Sequence, residues 1–208
     1  MLAAIGVVIN MLGRAAGSLL PLLVVQHFHG GAVEFGWLES TAGIGMVLGG
    51  VILGVWGGFR RRVVTQMLAL ILDGLAIIAI GLIPPQAFGL AVGFILVSGL
   101  LEAIVLGLSG AIAQAIIPPV MQGRVFALLL SVTQGLAPLG LLVAGPTADT
   151  FGVQVWWVMT GVVIAAMGAA ALCVPAVVHI EDEAIEPIRS GMEETGSDRG
   201  QRAPRHVA

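Results

Sequence analysis

Residues 88–117 read FGLAVGFILVSGLLEAIVLGLSGAIAQAII, an unbroken apolar run whose one charge, Glu102, stands at its centre. The hydrocarbon core of a bilayer is about 30 Å thick, and about 20 helical residues cross it. A barrel strand would alternate polar and apolar positions over about ten residues. This run does not alternate, so it reads as a transmembrane helix. Outward from it, five further apolar runs of spanning length lie at 2–25, 36–57, 63–83, 124–146 and 155–178, divided by short polar breaks.

The composition fits a chain that lives in lipid. Of its 208 residues, 58% are apolar and only 10% charged, and the mean hydropathy of +1.04 lies far from that of a soluble domain. The 30 glycines point the same way, because membrane helices gain nothing from hydrophobicity against one another and pack by close backbone approach at small residues. The expected fold is an all-α membrane protein with six transmembrane helices in residues 1–180. Residues 181–208 hold seven acids and four arginines with few large apolar groups, the composition of a disordered tail.

Up to residue 180 the charges balance: Arg14, Arg60, Arg61, Arg62 and Arg124 against Glu34, Glu39, Asp73, Glu102 and Asp149. There is no basic face for nucleic acid. Lysine is absent, a hint of a G+C-rich bacterial genome. Cys173 is the single cysteine and lies in the last run, so neither a disulfide nor a thiolate metal cage forms within one chain. His27 and His29 have a spacing that could contribute to a metal site, but no third ligand is placed beside them, and both are expected in a solvated loop. No cofactor is expected. Met1 opens directly into an apolar run without a basic leader, and Arg14 interrupts that run, so the first span reads as a permanent helix rather than a cleaved signal.

Orientation follows the arginines of the short loops. The breaks after spans two and four contain Arg60, Arg61, Arg62 and Arg124, while those after spans one, three and five contain no Lys or Arg. Even-numbered spans therefore end in the cytoplasm, which puts both termini and the acidic tail on the inner side of the cell membrane. Glycines spaced four or five apart precede the polar ends of both span two (Gly45, Gly49, Gly50, Gly54) and span five (Gly135, Gly140, Gly145). Two copies three spans apart, at opposite faces of the membrane, are what two inverted three-helix repeats produce, although glycine-rich helices also align by chance.

The run Gly-x-x-x-Asp-x-x-Gly at Gly145, Asp149 and Gly152, with the arginine-rich turn after Gly54 (Gly58, Arg61, Arg62), resembles the loop motif of the major facilitator superfamily. The turn Pro118 to Phe126, containing Gly123 and Arg124, resembles the connection before the eleventh helix of its drug and siderophore exporters. Bacterial macrolide-efflux and enterobactin-exporter permeases are the types most resembled, over the six spans of their C-terminal half. Gly58 stands where the family usually has Asp. The resemblance implies an efflux antiporter in the inner membrane, with a small-molecule cargo held between two six-helix bundles. It further implies a partner, either an N-terminal six-span half or a second copy.

Arg14, Asp73 and Glu102 fall near the centres of their spans, where an ionisable group costs about 2.5–3.5 kcal/mol on insertion scales. Such groups face protein or water. Asn10, Arg14, Gly17 and Pro21 share one helical face, as do Ser98, Glu102 and Ser109. In the superfamily the helices equivalent to spans one and four line the cargo path, so the resemblance implies that Arg14 and Glu102 flank the cavity and that Glu102 carries the coupling proton. A structural Arg14–Glu102 ion pair is the alternative. Asp73 is expected mainly in packing or helix bonding, and Gln134 either lines the cavity or bonds between helices. No H-E-x-x-H, G-x-S-x-G or G-x-x-x-x-G-K run is present, so neither an enzyme nor an ATP-driven pump is indicated, and no filter or acid ring suggests a channel. The expected function is proton-coupled export of a drug-like or siderophore-like molecule, the alternative a six-span membrane subunit or remnant that does not transport.

Overall fold

The computed structural model describes residues 13, 17–56, 62–117, 120–128, 130–132, 135, 150 and 152–172, and among these it is all-helical. The helices are α1 (Leu20–Gln26), α2 (Ala32–Trp56), α3 (Arg62–Leu82), α4 (Phe88–Ile116) and α5 (Val153–Leu172), with a 3-10 turn, Pro85–Ala87, leading into α4. A shorter apolar helical stretch, Val120–Val132, precedes α5. Four helices, α2 to α5, are long and apolar enough to cross a membrane. The architecture is that of an integral membrane protein.

These four correspond to the second, third, fourth and sixth expected spans. The largest difference is at α2, which begins at Ala32 rather than at residue 36. Its start is fixed by the carboxylate of Glu34, which accepts the N–H of Gly31 at 2.7 Å and places a negative charge in the first turn, where the helix dipole favours it. α5 likewise begins at Val153, two residues early, after Gly152 at φ 88°, a left-handed conformation open to glycine. Most of the first span, much of the fifth, the end of the sixth and the tail at 181–208 lie outside the described residues.

Helix directions can be read from what each glycine touches. A methyl group on Gly45 would strike the backbone of Leu96 and Leu100, one on Gly49 the backbone of Leu100 and the side chain of Ala103, and one on Gly99 the backbone of Ala42. Residue numbers rise together along both helices, so α2 and α4 are parallel. α3 and α5 meet the opposite way: Gly81 faces Gln154 and Val158, while Gly168 faces Met67 and Ile71. α3 and α4 are antiparallel too, because Asp73 bonds Ser98 and Gln66 bonds Ser109. α4 and α5 therefore run in the same direction. The segment that joins them starts and finishes at opposite ends of the bundle.

The α3–α5 contact has a twofold character. The same sequence offset carries Met67 to Gln154, Ile71 to Val158, Gly74 to Gly161, Ile78 to Ala165 and Gly81 to Gly168. Each contact of one glycine has its counterpart: Gly74 meets Gly161 and Ala165 as Gly161 meets Gly74 and Ile78. Gly81 against Gln154 and Val158 is matched in the same way by Gly168 against Met67 and Ile71.

The main core joins α1 to α5, with Leu23, Leu38, Ile80, Ala91, Trp157 and Ile164 in its centre. Smaller clusters fill the other end of α3–α5 (Val63, Met67, Ala171) and the α3–α4 seam (Ala69, Leu101, Ile104, Leu108). Large apolar side chains such as Val33, Val47, Val55, Leu72, Leu82 and Val162 point outward. In water such a surface would be a liability; toward acyl chains it costs nothing.

The glycines of α2 divide into two sets, Gly45 and Gly49 sealed against α4 and Gly36, Gly43, Gly50 and Gly54 facing open space. Substitution should divide them in the same way. Gly74→Ala, Gly161→Ala and Gly45→Ala force backbones apart and should each cost about 1–3 kcal/mol, read as a lower melting temperature in detergent. Gly43→Ala and Gly50→Ala should be neutral or stabilise by up to about 1 kcal/mol. Equal responses from both sets would contradict this packing.

Candidate functional site

Midway along α3, Asp73 is buried, with 8% of its surface exposed. Alanines on either side of it along the same face, Ala69 and Ala76, are buried as well, and their small size lets α4 approach. Across that seam the hydroxyl of Ser98 donates to Asp73 Oδ1 at 2.5 Å. One turn further along the same face of α4 stands Glu102, exposed on the surface of the described helices.

Farther along the seam, Gln66 Nε2 donates to Ser109 Oγ at 2.6 Å, and that hydroxyl donates to the carbonyl of Val105 at 2.7 Å. The α3–α4 interface is thus a polar seam inside an oily bundle. In hydrocarbon every polar atom must find its partner within the protein, and here each residue named on α3 meets one on α4. Asp73, expected in packing or helix bonding, makes one such bond between helices at the centre of the seam.

A second polar cluster ties one end of the bundle. His27 Nε2 lies 2.7 Å from the carbonyl of Ile83, and Gln154 Nε2 lies 2.7 Å from His27 Nδ1. A carbonyl only accepts, so Nε2 carries the proton and donates to it, leaving Nδ1 to accept from the Gln154 amide. The Ile83 carbonyl needs such a donor because Pro84 and Pro85 follow it, and neither has an N–H to continue the helix. The ring also stands edge-on to Phe28 with centroids 4.7 Å apart, and Phe28 stands edge-on to Phe88 at 5.5 Å.

One imidazole thereby holds the end of α1, the end of α3 and the start of α5 together. This corrects the expectation of a solvated His27: the ring is half-buried, and only His29 is exposed, in a left-handed turn at φ 52°. Nothing local in the sequence marks the residue, since its partners lie 56 and 127 positions away. Among the described residues no three His, Cys, Asp or Glu side chains are grouped to hold a metal ion.

The remaining expected residues are scattered or outside the described set. Asn10, Arg14, Gln134, Gly58, Arg61, Gly145 and Asp149 lie outside the described residues, and with them any Arg14–Glu102 pair. Gly54 sits in the last turns of α2, Arg62 begins α3, Gly123 and Arg124 are exposed in the stretch after α4, and Gly152 precedes α5. Of the expected site residues that are described, Asp73 and Glu102 stand on adjoining helices, α3 and α4.

If the His27 clasp is a cooperative unit, its two sides should not act independently. His27→Leu and Gln154→Leu should each lower the melting temperature, because each leaves a polar partner unsatisfied, at about 1–3 kcal/mol. The double variant should lose less than the sum by about 0.5 kcal/mol or more. Strict additivity would contradict the clasp.

The bundle has many relatives among exporters. The chain is 30% identical over 147 residues to macrolide efflux protein A of Streptococcus pyogenes, a match covering 71% of this chain and 36% of that protein. It is 28% identical over 142 residues to the multidrug efflux pump Tap of Mycolicibacterium fortuitum, covering 68% of this chain and 34% of that one. To Tap of Mycobacterium tuberculosis it is 31% identical over 158 residues, covering 74% and 36%. The chain thus matches only about a third of the length of these curated relatives. No solved structure matches it. The family description Major Facilitator Superfamily matches residues 3–203, nearly the whole sequence, so by its composition, its helices and its kinship the chain belongs to the Major Facilitator Superfamily.

Proposed function

We propose that the chain forms the C-terminal six-helix half of a proton-coupled efflux permease, exporting a bulky, partly apolar molecule. The observation that carries this is the mid-membrane seam in which Asp73 accepts from Ser98 with Glu102 one turn away. A carboxylate desolvated in the middle of a bundle is expensive, and a transporter driven by protons is a setting in which it has a task. Glu102 and Leu106 lie one turn apart and are both exposed, a mixed surface of the kind an amphiphilic cargo fits. The efflux names of the relatives favour a drug-like cargo; the resemblance to enterobactin exporters keeps a siderophore-like one in view.

Six spans in two inverted three-helix repeats account for the helix directions. A fifth crossing between Ile117 and Gly152 returns the chain to the end where α5 starts, and the twofold α3–α5 contact is what equivalent third helices of two inverted repeats would make. Under that topology the His27 clasp gathers the outer ends of spans one and three and the outer start of span six. The arginines at 60–62 and 124 then lie inside, with both termini in the cytoplasm of a bacterial cell. The cargo cavity needs a second wall, from an N-terminal six-span half or a second copy.

Expressed by itself, the 208-residue chain should insert in the membrane and confer no drug export. Co-expression with the N-terminal half of a macrolide-efflux permease should restore gradient-driven export. Proton-driven export by the purified, reconstituted chain would contradict the need for a separate half and favour a homodimer.

A further inference from the structure

We propose that the His27 clasp is a pH-sensitive switch: the side-chain amide of Gln154 turns over when the ring takes a proton, so that α1, α3 and α5 stay tied in both charge states. The inference rests on the geometry at one end of the bundle and does not require the permease reading. Histidine is the side chain whose charge ordinarily changes between about pH 5 and pH 8. This one is half-buried and holds its neighbours through both ring nitrogens.

In the neutral ring the two bonds have opposite senses. Nε2–H donates to the Ile83 carbonyl at 2.7 Å, and Nδ1 accepts from Gln154 Nε2 at 2.7 Å. A proton from water that forms an N–H bond at Nδ1 takes up that lone pair and leaves two donors face to face. The bond to Ile83 survives, because the carbonyl accepts from either form of the ring. The bond to Gln154 survives only if the amide turns over, and the two ends of an amide are nearly the same shape. The amide nitrogen lies 2.7 Å from Nδ1 and 3.1 Å from Nε2, so an oxygen in its place stands within reach of both ring N–H groups. The charged ring then donates to two neutral oxygens, and loss of the proton reverses both changes.

The surroundings leave the amide as the group that answers the proton. α1 has no titratable residue from Leu20 to Gln26. Beyond the ring, His29 is exposed, and the carboxylate of Glu34 is taken by the N–H of Gly31; Glu39 lies further along α2. On α3, Asp73 is about 15 Å along the axis from Ile83 at 1.5 Å per residue, and Arg62 is farther still. No titratable residue occurs from Pro84 to Leu101, which leads into and along α4 to Glu102, or from Val153 to Leu172 in α5. The helix ends oppose one another: Ile83 follows the C-terminal, negative end of α3, and Gln154 lies in the first turn of α5, its positive end. Among the described residues no carboxylate bonds the ring, whose polar partners are the Ile83 carbonyl and the Gln154 amide.

The test is nitrogen NMR of the purified full chain in detergent micelles, labelled in the histidine and glutamine side chains. The non-titrating variant His27→Asn and the variant Gln154→Leu assign the signals, and circular dichroism checks their helical content. On the alkaline side of the ring's titration, Nδ1 should be unprotonated and the Gln154 NH2 should show a nuclear Overhauser contact to the ring. On the acid side both ring nitrogens should carry protons and that contact should vanish. Exchange of the NH2 with water should then quicken by about threefold to tenfold, the worth of one hydrogen bond. Spin labels on two exposed positions, Val25 of α1 and Met159 of α5, should report the same distance throughout. An NH2 contact unchanged by acid would overturn the switch, because the amide has not turned. An α1–α5 distance that widens in acid would overturn it too, because the clasp has opened. In His27→Asn the Gln154 signals should lose their pH dependence; if they keep it, another group drives them and the proposal fails. The native chain decides the first two outcomes by itself, whether or not the variants fold.

Discussion

A bilayer offers a helix neither water for its polar atoms nor a hydrophobic reason to touch its neighbour. Everything that orders this bundle answers one of those two deficits. Contact comes from glycines that let backbones close: Gly74 and Gly161 between α3 and α5, Gly45, Gly49 and Gly99 between α2 and α4. Polar satisfaction comes from the Asp73–Ser98 and Gln66–Ser109 bonds of the seam and from the His27 clasp. α3 belongs to both systems, sealed by glycine on the α5 side and bonded through polar atoms on the α4 side.

Much of this was legible in the sequence, for physical reasons. Apolar runs of spanning length admit little but helices in lipid, so α3 and α4 fall within a residue or so of the expected spans. The loop motif around Gly145, Asp149 and Gly152 and the turn at Gly123 and Arg124 resembled the superfamily that the comparisons show. The glycine ladder of α2 was visible as a pattern, but not which of its members were sealed, because that depends on the phase of α4 against α2. The start of α2 was placed late because Gly30, Gly31 and the acid at Glu34 look like loop, whereas the acid lies in the first turn and favours the start of the helix.

The site was less legible than the fold. Asp73 and Glu102 each stood out as mid-span charges, and helix bonding was among the roles expected of Asp73, yet a single sequence does not say that Ser98 is its partner. His27 looked like loop because Gln26, His29, Gly30 and Gly31 surround it in sequence; its partners, Ile83 and Gln154, are brought to it by two other helices, α3 and α5. Long-range polar contacts of this kind leave no periodic trace, in contrast to the burial of an apolar face. Kinship adds a family and the word efflux, but only about a third of each relative is matched, so cargo, coupling and partner stand on the seam and on proposal.

The proposed half-permease depends most on the chain crossing the membrane once between Ile117 and Gly152, a proposal supported by the parallel directions of α4 and α5. Single cysteines, Ala32→Cys, Gln122→Cys and Gly152→Cys in a Cys173→Ala background, can be probed in intact cells with an impermeant thiol reagent. The account predicts labelling of Ala32→Cys and Gly152→Cys from outside and none of Gln122→Cys. Labelling of Gln122→Cys and Gly152→Cys from the same side would contradict it, because no crossing would then separate α4 from α5.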